Sequence, residues 1–171
     1  MEHIISPEEV VTLGRPIGKV EDSKLLAYIT EAEQMNIKPA LGDALFLKIL
    51  AEGDSNDIYK LLLNGGTYND CNGEMRSFMG LKVALSYYVY AQNVMTGDFQ
   101  STRFGTVVKQ GDYSREISSK ERSDCYNNAL EVAHHYLNEC VAFCKSQNLF
   151  QSGRNRRVIS AGGCTIRKIG S

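Results

Sequence analysis

Polar and apolar positions along this chain recur mostly with the period of a helix. Leu25, Leu26, Ile29 and Ala32 fall at three- and four-residue spacing, which predicts a helix over about 22–36 that Pro39 interrupts. Ahead of it, Ser6-Pro7-Glu8-Glu9 joins a capping serine, a first-turn proline and a glutamate three residues on. A short helix therefore starts there and stops before Gly14, Pro16 and Gly18. Two more helices are expected over about 42–51, ended by Gly53, and 56–63, ended by Gly65-Gly66. Between 68 and 78 the pattern changes, and Asn72-Gly73 marks a small hairpin because both residues tolerate the positive φ of a tight turn.

The two most legible helices come next. Over 81–95 only a narrow polar stripe remains, formed by Lys82, Ser86 and Asn93. A helix apolar on nearly every side is central, or a neighbouring subunit covers it. The last helix starts at Ser118 or Ser119, with Glu121 in the capping position, and runs to about 146, roughly 40 Å. Cys125, Ala129, Val132, Ala133, Tyr136, Leu137, Cys140 and Cys144 share its apolar face; Asp124, Asn128, Glu131, His135 and Glu139 lie opposite.

Two segments stay outside this pattern. The connection 97–117 is too long for an ordinary loop in a compact domain, and such connections are usually functional or disordered. Phe104, Val107 and Val108 argue against pure disorder, and Thr106-Val107-Val108-Lys109 reads as a short strand. Segment 151–171 mixes glycines and serines with Val158, Ile159, Ile166 and Ile169, too little to fold alone but enough to dock. The expected fold is mainly α: a helical bundle of about five to six helices with a small β-hairpin, a long irregular arm and an extended C-terminal tail. Residues 1–20 form an N-terminal extension, 21–150 the helical domain and 151–171 the tail.

Charge changes this picture. The net charge of −1 hides a split: Arg154, Arg156, Arg157, Arg167 and Lys168 give the tail five positive charges and no negative one, leaving an acidic body. Such a tail suits acidic partner surfaces better than a duplex, since it has no aromatic residue. The five cysteines form no C-x-x-C pair and read as buried, reduced thiols, Cys125 included. No signal peptide is legible, and 81–95 is too short and too polar for a membrane span.

Catalytic chemistry finds no foothold. Gly14-Arg15-Pro16-Ile17-Gly18-Lys19 has glycines one residue too close for a phosphate loop, and Val20 stands where Ser or Thr would hold magnesium. Glu131-x-x-His134 has di-metal carboxylate spacing, but such sites need a second pair and two further glutamates. His3 offers no partner in its terminal stretch. Hydrolase, metalloprotease and dinucleotide signatures are absent, so no catalytic residue, cofactor or metal is expected and the chain reads as a non-enzyme. A helical interaction module outside any virus, or a metal-binding bundle using Glu131 and His134, are the alternatives to the reading that follows.

Several stretches resemble the head-to-tail connector (adaptor) proteins of tailed bacteriophages, in particular those of crAss-like phages of gut Bacteroides-type bacteria. Ile29-Thr30-Glu31-Ala32-Glu33-Gln34, Ile37-Lys38-Pro39-Ala40-Leu41-Gly42-Asp43-Ala44-Leu45, Leu63-Asn64-Gly65-Gly66-Thr67-Tyr68 and Gly80-Leu81-Lys82-Val83-Ala84-Leu85-Ser86-Tyr87-Tyr88 carry the likeness, over roughly 20–150. The resemblance implies a non-enzymatic virion protein assembled in the host cytoplasm. Its copies form a ring, typically of twelve, beneath the portal protein, with DNA only as passing cargo and no membrane contact. It also implies that Phe104, Thr106, Val107 and Val108 of the arm meet neighbouring subunits or the lumen. Arg154, Arg156, Arg157, Val158, Ile159, Ile166, Arg167 and Lys168 would then meet the portal and neighbouring ring or tail proteins.

Overall fold

The computed structural model describes residues 3–18, 20–53, 55–96 and 118–150, and the backbone of 99–102 and 105–108. The chain is mainly helical. Helices α1 (Pro7–Leu13), α2 (Asp22–Ala32), α3 (Lys38–Leu41), α4 (Asp43–Glu52) and α5 (Asp57–Asn64) precede a hairpin of β1 (Gly66–Asn69) and β2 (Met75–Phe78). Helix α6 (Leu81–Thr96), a second hairpin of β3 (Phe99–Thr102) and β4 (Gly105–Val108), and α7 (Ser119–Ser146) follow.

Local chemistry fixes most of these boundaries. Capping boxes start α1 at Ser6/Glu9 and α7 at Ser118/Glu121 as the sequence predicts, and the Asn56 side chain caps α5. Pro39 does not stop the helix before it. Residues Glu33–Ile37 widen into a π-helical turn, in which the Lys38 N–H reaches back to the Glu33 carbonyl, and α3 continues the rod with proline in its first turn. The wider turn relieves the clash that a proline ring makes with the carbonyl four residues earlier.

At the centre, α6 packs antiparallel on α7: Tyr87 meets Tyr136, Tyr88 meets His134, and Phe78, just before α6, stacks on Phe143. Helices α1 and α2 pack on α6 as well. From Leu81 to Ala91 nearly every α6 residue is buried, including Ser86 of the polar stripe, whose hydroxyl donates to the Val83 carbonyl and lies under Gly14. The helix is thus central within one subunit. Leu85 is fully buried in this cluster, so Leu85→Ala is expected to cost about 2–5 kcal/mol in denaturant unfolding. A loss below about 0.5 kcal/mol would place it at the surface.

Helix α7 is longer than its packing partner. Its first buried residue is Ala129, so residues 119–128 extend about 15 Å with no buried side chain. That corrects the expectation for Cys125, which is exposed although its helical angle matches the apolar face. The N-terminal residues, in contrast, belong to the core: Ile4, Ile5 and Val10 join its main cluster.

Candidate interaction surfaces

Three polar assemblies decorate the bundle. In the first, the Glu33 carboxylate, only 2% exposed, accepts from the Ile4 N–H at 2.7 Å and from His3 Nδ1 at 2.9 Å. His3 thus has a partner, contrary to the sequence expectation. Beside it, Lys82 Nζ lies 2.6 Å from the Glu9 carboxylate. Partial burial raises the Glu9 pKa, but the bonds from Lys82 and the Ser6 N–H outweigh it and hold the carboxyl below its ordinary range. His3, Ser6, Glu9, Lys82 and the last turn of α4 line a cleft of about 390 Å³. Glu33 holds His3 and the Ile4 N–H while Glu9 holds Lys82, so these contacts clasp the N-terminal segment across α6 and the π-helical turn.

In the second assembly, Arg15 leaves the end of α1 and sets its guanidinium 5.6 Å from the ring centres of both Tyr87 and Tyr90, one turn apart on α6. It also donates to the Asn128 side chain of α7. In the sequence Arg15 stands out only within a failed phosphate loop; its cation–π role depends on α6 lying beneath it. No local signal reveals this.

The third is the β1–β2 hairpin. Asp70 Oδ1 accepts from the N–H groups of Asn72 and Glu74, and its other oxygen binds Arg76 at 3.1 Å. Those N–H groups and Arg76 outweigh the desolvation of the carboxyl and lower its pKa. Of the Asn72-Gly73 pair only Gly73 takes positive φ, at 80°, and its N–H donates to the Asp70 carbonyl. Asn72-Gly73 therefore marks the turn correctly, but as a longer turn closed by Asp70 instead of a two-residue one. At the base, Tyr68 meets Phe78 and Phe143 edge-on at 5.7 and 5.1 Å, while Phe78 and Phe143 stack at 4.8 Å. Its outer face is exposed, and Met75, 77% exposed, stands near the tip.

Groups with catalytic potential are quiet. Burial pushes the Cys144 thiol up to about 12 and raises Cys140 as well, so both stay protonated and unreactive. Cys71 and Cys125 are exposed. Glu131 and His134 lie on the exposed side of α7, with His134 against the edge of Tyr88. Among the described residues no group of three or more His, Cys, Asp or Glu is placed to hold a metal, and no helix is long and apolar enough to cross a membrane.

Tyr88 is the oddity. Its hydroxyl is buried with no hydrogen-bond partner among the described residues, and burial pushes its pKa up to about 12. Tyr88→Phe is expected to be neutral or stabilising by up to about 1 kcal/mol, since it removes an unsatisfied polar atom. A loss of about 1 kcal/mol or more on thermal or denaturant unfolding would mean that the hydroxyl is bonded.

Of the partner-facing residues expected from sequence, Thr106, Val107 and Val108 lie on β4, which pairs antiparallel with β3 from Phe99↔Val108 to Thr102↔Gly105. The arm expected to be irregular thus holds a hairpin, and of the short strand read at Thr106-Val107-Val108-Lys109 the first three residues lie in its second half, while Lys109 lies outside the described residues. Phe104, and Arg154, Arg156, Arg157, Val158, Ile159, Ile166, Arg167 and Lys168, lie outside the described residues. Exposed apolar side chains are scattered: besides Met75, Met35 is 70% and Leu47 61% exposed, at the π-helical turn and on α4.

No curated protein and no solved structure matches the chain. A sequence model described as a family of unknown function, DUF6712, does match it over residues 37–157, from the π-helical turn past the end of α7 into the basic segment, and the chain belongs to that family.

Proposed function

We propose that this protein is a structural subunit of a phage head-to-tail connector, a non-enzymatic ring protein that sits beneath the portal and lets DNA pass. The observation that carries the reading is a helical body whose central helix is already covered, together with two stretches of sequence outside that helical pattern. The first is the hairpin-bearing connection between α6 and α7, followed by ten α7 residues none of which is fully buried. The second is the basic segment beyond Phe150. In the connector proteins that this sequence resembles, a helical bundle forms the ring wall while a loop and a terminal tail reach the portal and neighbouring rings. Because α6 is covered within its own subunit, ring contacts would fall to the connection 97–117, to the basic segment and to exposed apolar positions such as Met35, Leu47 and Met75. Thr106, Val107 and Val108 would meet a neighbouring copy or face the lumen. Arg154, Arg156, Arg157, Arg167 and Lys168 would pair with acidic groups on the portal or an adjacent ring.

Native mass measurement and electron microscopy of the purified chain, alone and mixed with a candidate portal, test this. A ring-sized species, or a ring added to the portal, is the expected result. A chain that stays monomeric under both conditions would sink the proposal and favour a helical interaction module of another kind.

A further inference from the structure

We infer that Asn72 is a site of spontaneous covalent modification: its side-chain amide is lost by ring closure onto the Gly73 nitrogen. An aspartyl or isoaspartyl residue is left at the tip of the β1–β2 hairpin. This holds whether or not the chain forms a ring.

Sequence offers two equal candidates. Asn64-Gly65 and Asn72-Gly73 are the two Asn-Gly pairs of the chain. Asparagine is among the thermally labile residues, and a glycine after it leaves the backbone nitrogen unhindered by a Cβ. That nitrogen gives its proton to solvent and attacks the asparagine Cγ. The N–Cγ bond forms, the Cγ–Nδ2 bond breaks, and the amide leaves as ammonia. Water then opens the five-membered imide. Opening at Cγ gives aspartate on a normal backbone, and opening at the main-chain carbonyl routes the backbone through the former side chain. Water is the one co-reactant, and nothing is oxidised or reduced.

The fold separates the two pairs. Asn64 ends α5, where its Nδ2 donates to the Lys60 carbonyl at 2.9 Å and the Gly65 N–H donates to the Leu61 carbonyl at 2.8 Å. Gly80 passes so close to the Gly65 nitrogen that a Cβ on Gly80 would overlap it. Leaving group and nucleophile are therefore both held. Ring closure there requires α5 to unwind and to part from the start of α6.

Asn72 is under no such restraint. It is exposed, and no hydrogen bond holds its side-chain amide among the described residues. A Cβ on Gly73 would meet nothing within 4 Å. One bond engages the Gly73 nitrogen, from its N–H to the Asp70 carbonyl at 2.9 Å. Breaking it opens a single exposed turn and leaves the stack of Phe78 on Phe143 in place. The product alters the tip. Asp70 and Glu74 already share Arg76, so a carboxylate at position 72 is the third around one guanidinium. The isoaspartyl form also lengthens the backbone between the two N–H groups that Asp70 accepts from Asn72 and Glu74.

The test is incubation of the full chain, folded and in urea, followed by peptide mapping for ammonia loss and isoaspartate at positions 64 and 72. In the folded chain Asn72 should convert at least about tenfold faster than Asn64, because closure at Asn64 breaks more hydrogen bonds and unpacks a helix end. In urea the two rates should converge. Gly73→Ala, which sets a Cβ beside the attacking nitrogen, should slow conversion at Asn72 about tenfold and leave Asn64 unchanged. Equal rates in the folded chain, or Asn64 ahead, would overturn the inference. So would an Asn72 that converts only in urea, a ratio that urea leaves unchanged, or a Gly73→Ala chain that converts as fast as the original.

Discussion

Gly80→Ala is expected to cost about 2–5 kcal/mol, read as the shift of the denaturation midpoint at constant slope. Gly80 sits at φ 91°, where a side chain is strained, and a Cβ there would lie 2.4 Å from the Gly65 nitrogen and 2.6 Å from the Leu63 carbonyl oxygen. These are backbone atoms, so no rotamer change relieves the overlap. Gly65 mirrors it, at φ 80° with its own Cβ position 2.4 Å from the Met79 carbonyl carbon. The two glycines let the end of α5 and the start of α6 pass in contact, and that passage sets the hairpin base beneath Phe143. Left-handed backbone costs a non-glycine residue about 1–2 kcal/mol, and forced overlap adds about 1–3 more. Gly73 provides the control: its φ is also 80°, but a Cβ there meets nothing within 4 Å. Gly73→Ala should therefore lose only about 1 kcal/mol. Equal losses at the two positions would show that contact between the backbones contributes nothing.

Much of this fold can be read without coordinates because its signals are local. Capping boxes, the Asn56 cap and the turn at Asn72-Gly73 depend on residues within a few positions of one another. So does the over-apolar character of α6, which the structure resolves in favour of a central helix. The departures arise where a distant element decides. Pro39 predicts a break, yet a π-helical turn absorbs it and keeps α2 and α3 in one rod. Cys125 has the right helical angle for burial, but α7 runs past its packing partners there, and periodicity carries no information about where a neighbour ends. Glu33 looks like one more solvated glutamate until Ile4 and His3, about thirty residues earlier, close over it. Arg15 is equally silent, since its two tyrosines lie more than seventy residues away. Of the partner-facing residues proposed from sequence, only the β4 backbone falls among the described residues, and its pairing with β3 shows how Thr106, Val107 and Val108 are held.

Ending the chain after Phe150 is expected to leave the helical body intact while abolishing attachment to the portal or an adjacent ring. Helix α7 closes on its own cap at Asn148, and Leu149 and Phe150 already pack on the core cluster, so helicity and thermal stability should change by no more than about 1 kcal/mol. Attachment is another matter. The removed segment carries five of the chain's 19 basic side chains and no acidic one, and its loss leaves an acidic body with little to attract an acidic partner. Replacing Arg154, Arg156 and Arg157 with alanine isolates the part that charge plays in attachment. Exposed charges are screened over about 10 Å at 0.1 M salt, so the intact chain should bind the portal more weakly as salt rises. The triple variant should start weaker and respond less to salt. Co-sedimentation of each chain with purified portal across a salt series measures both effects. If the truncated chain co-sediments as well as the intact one, attachment lies in the arm and the helical surface, and the basic segment has no part in it.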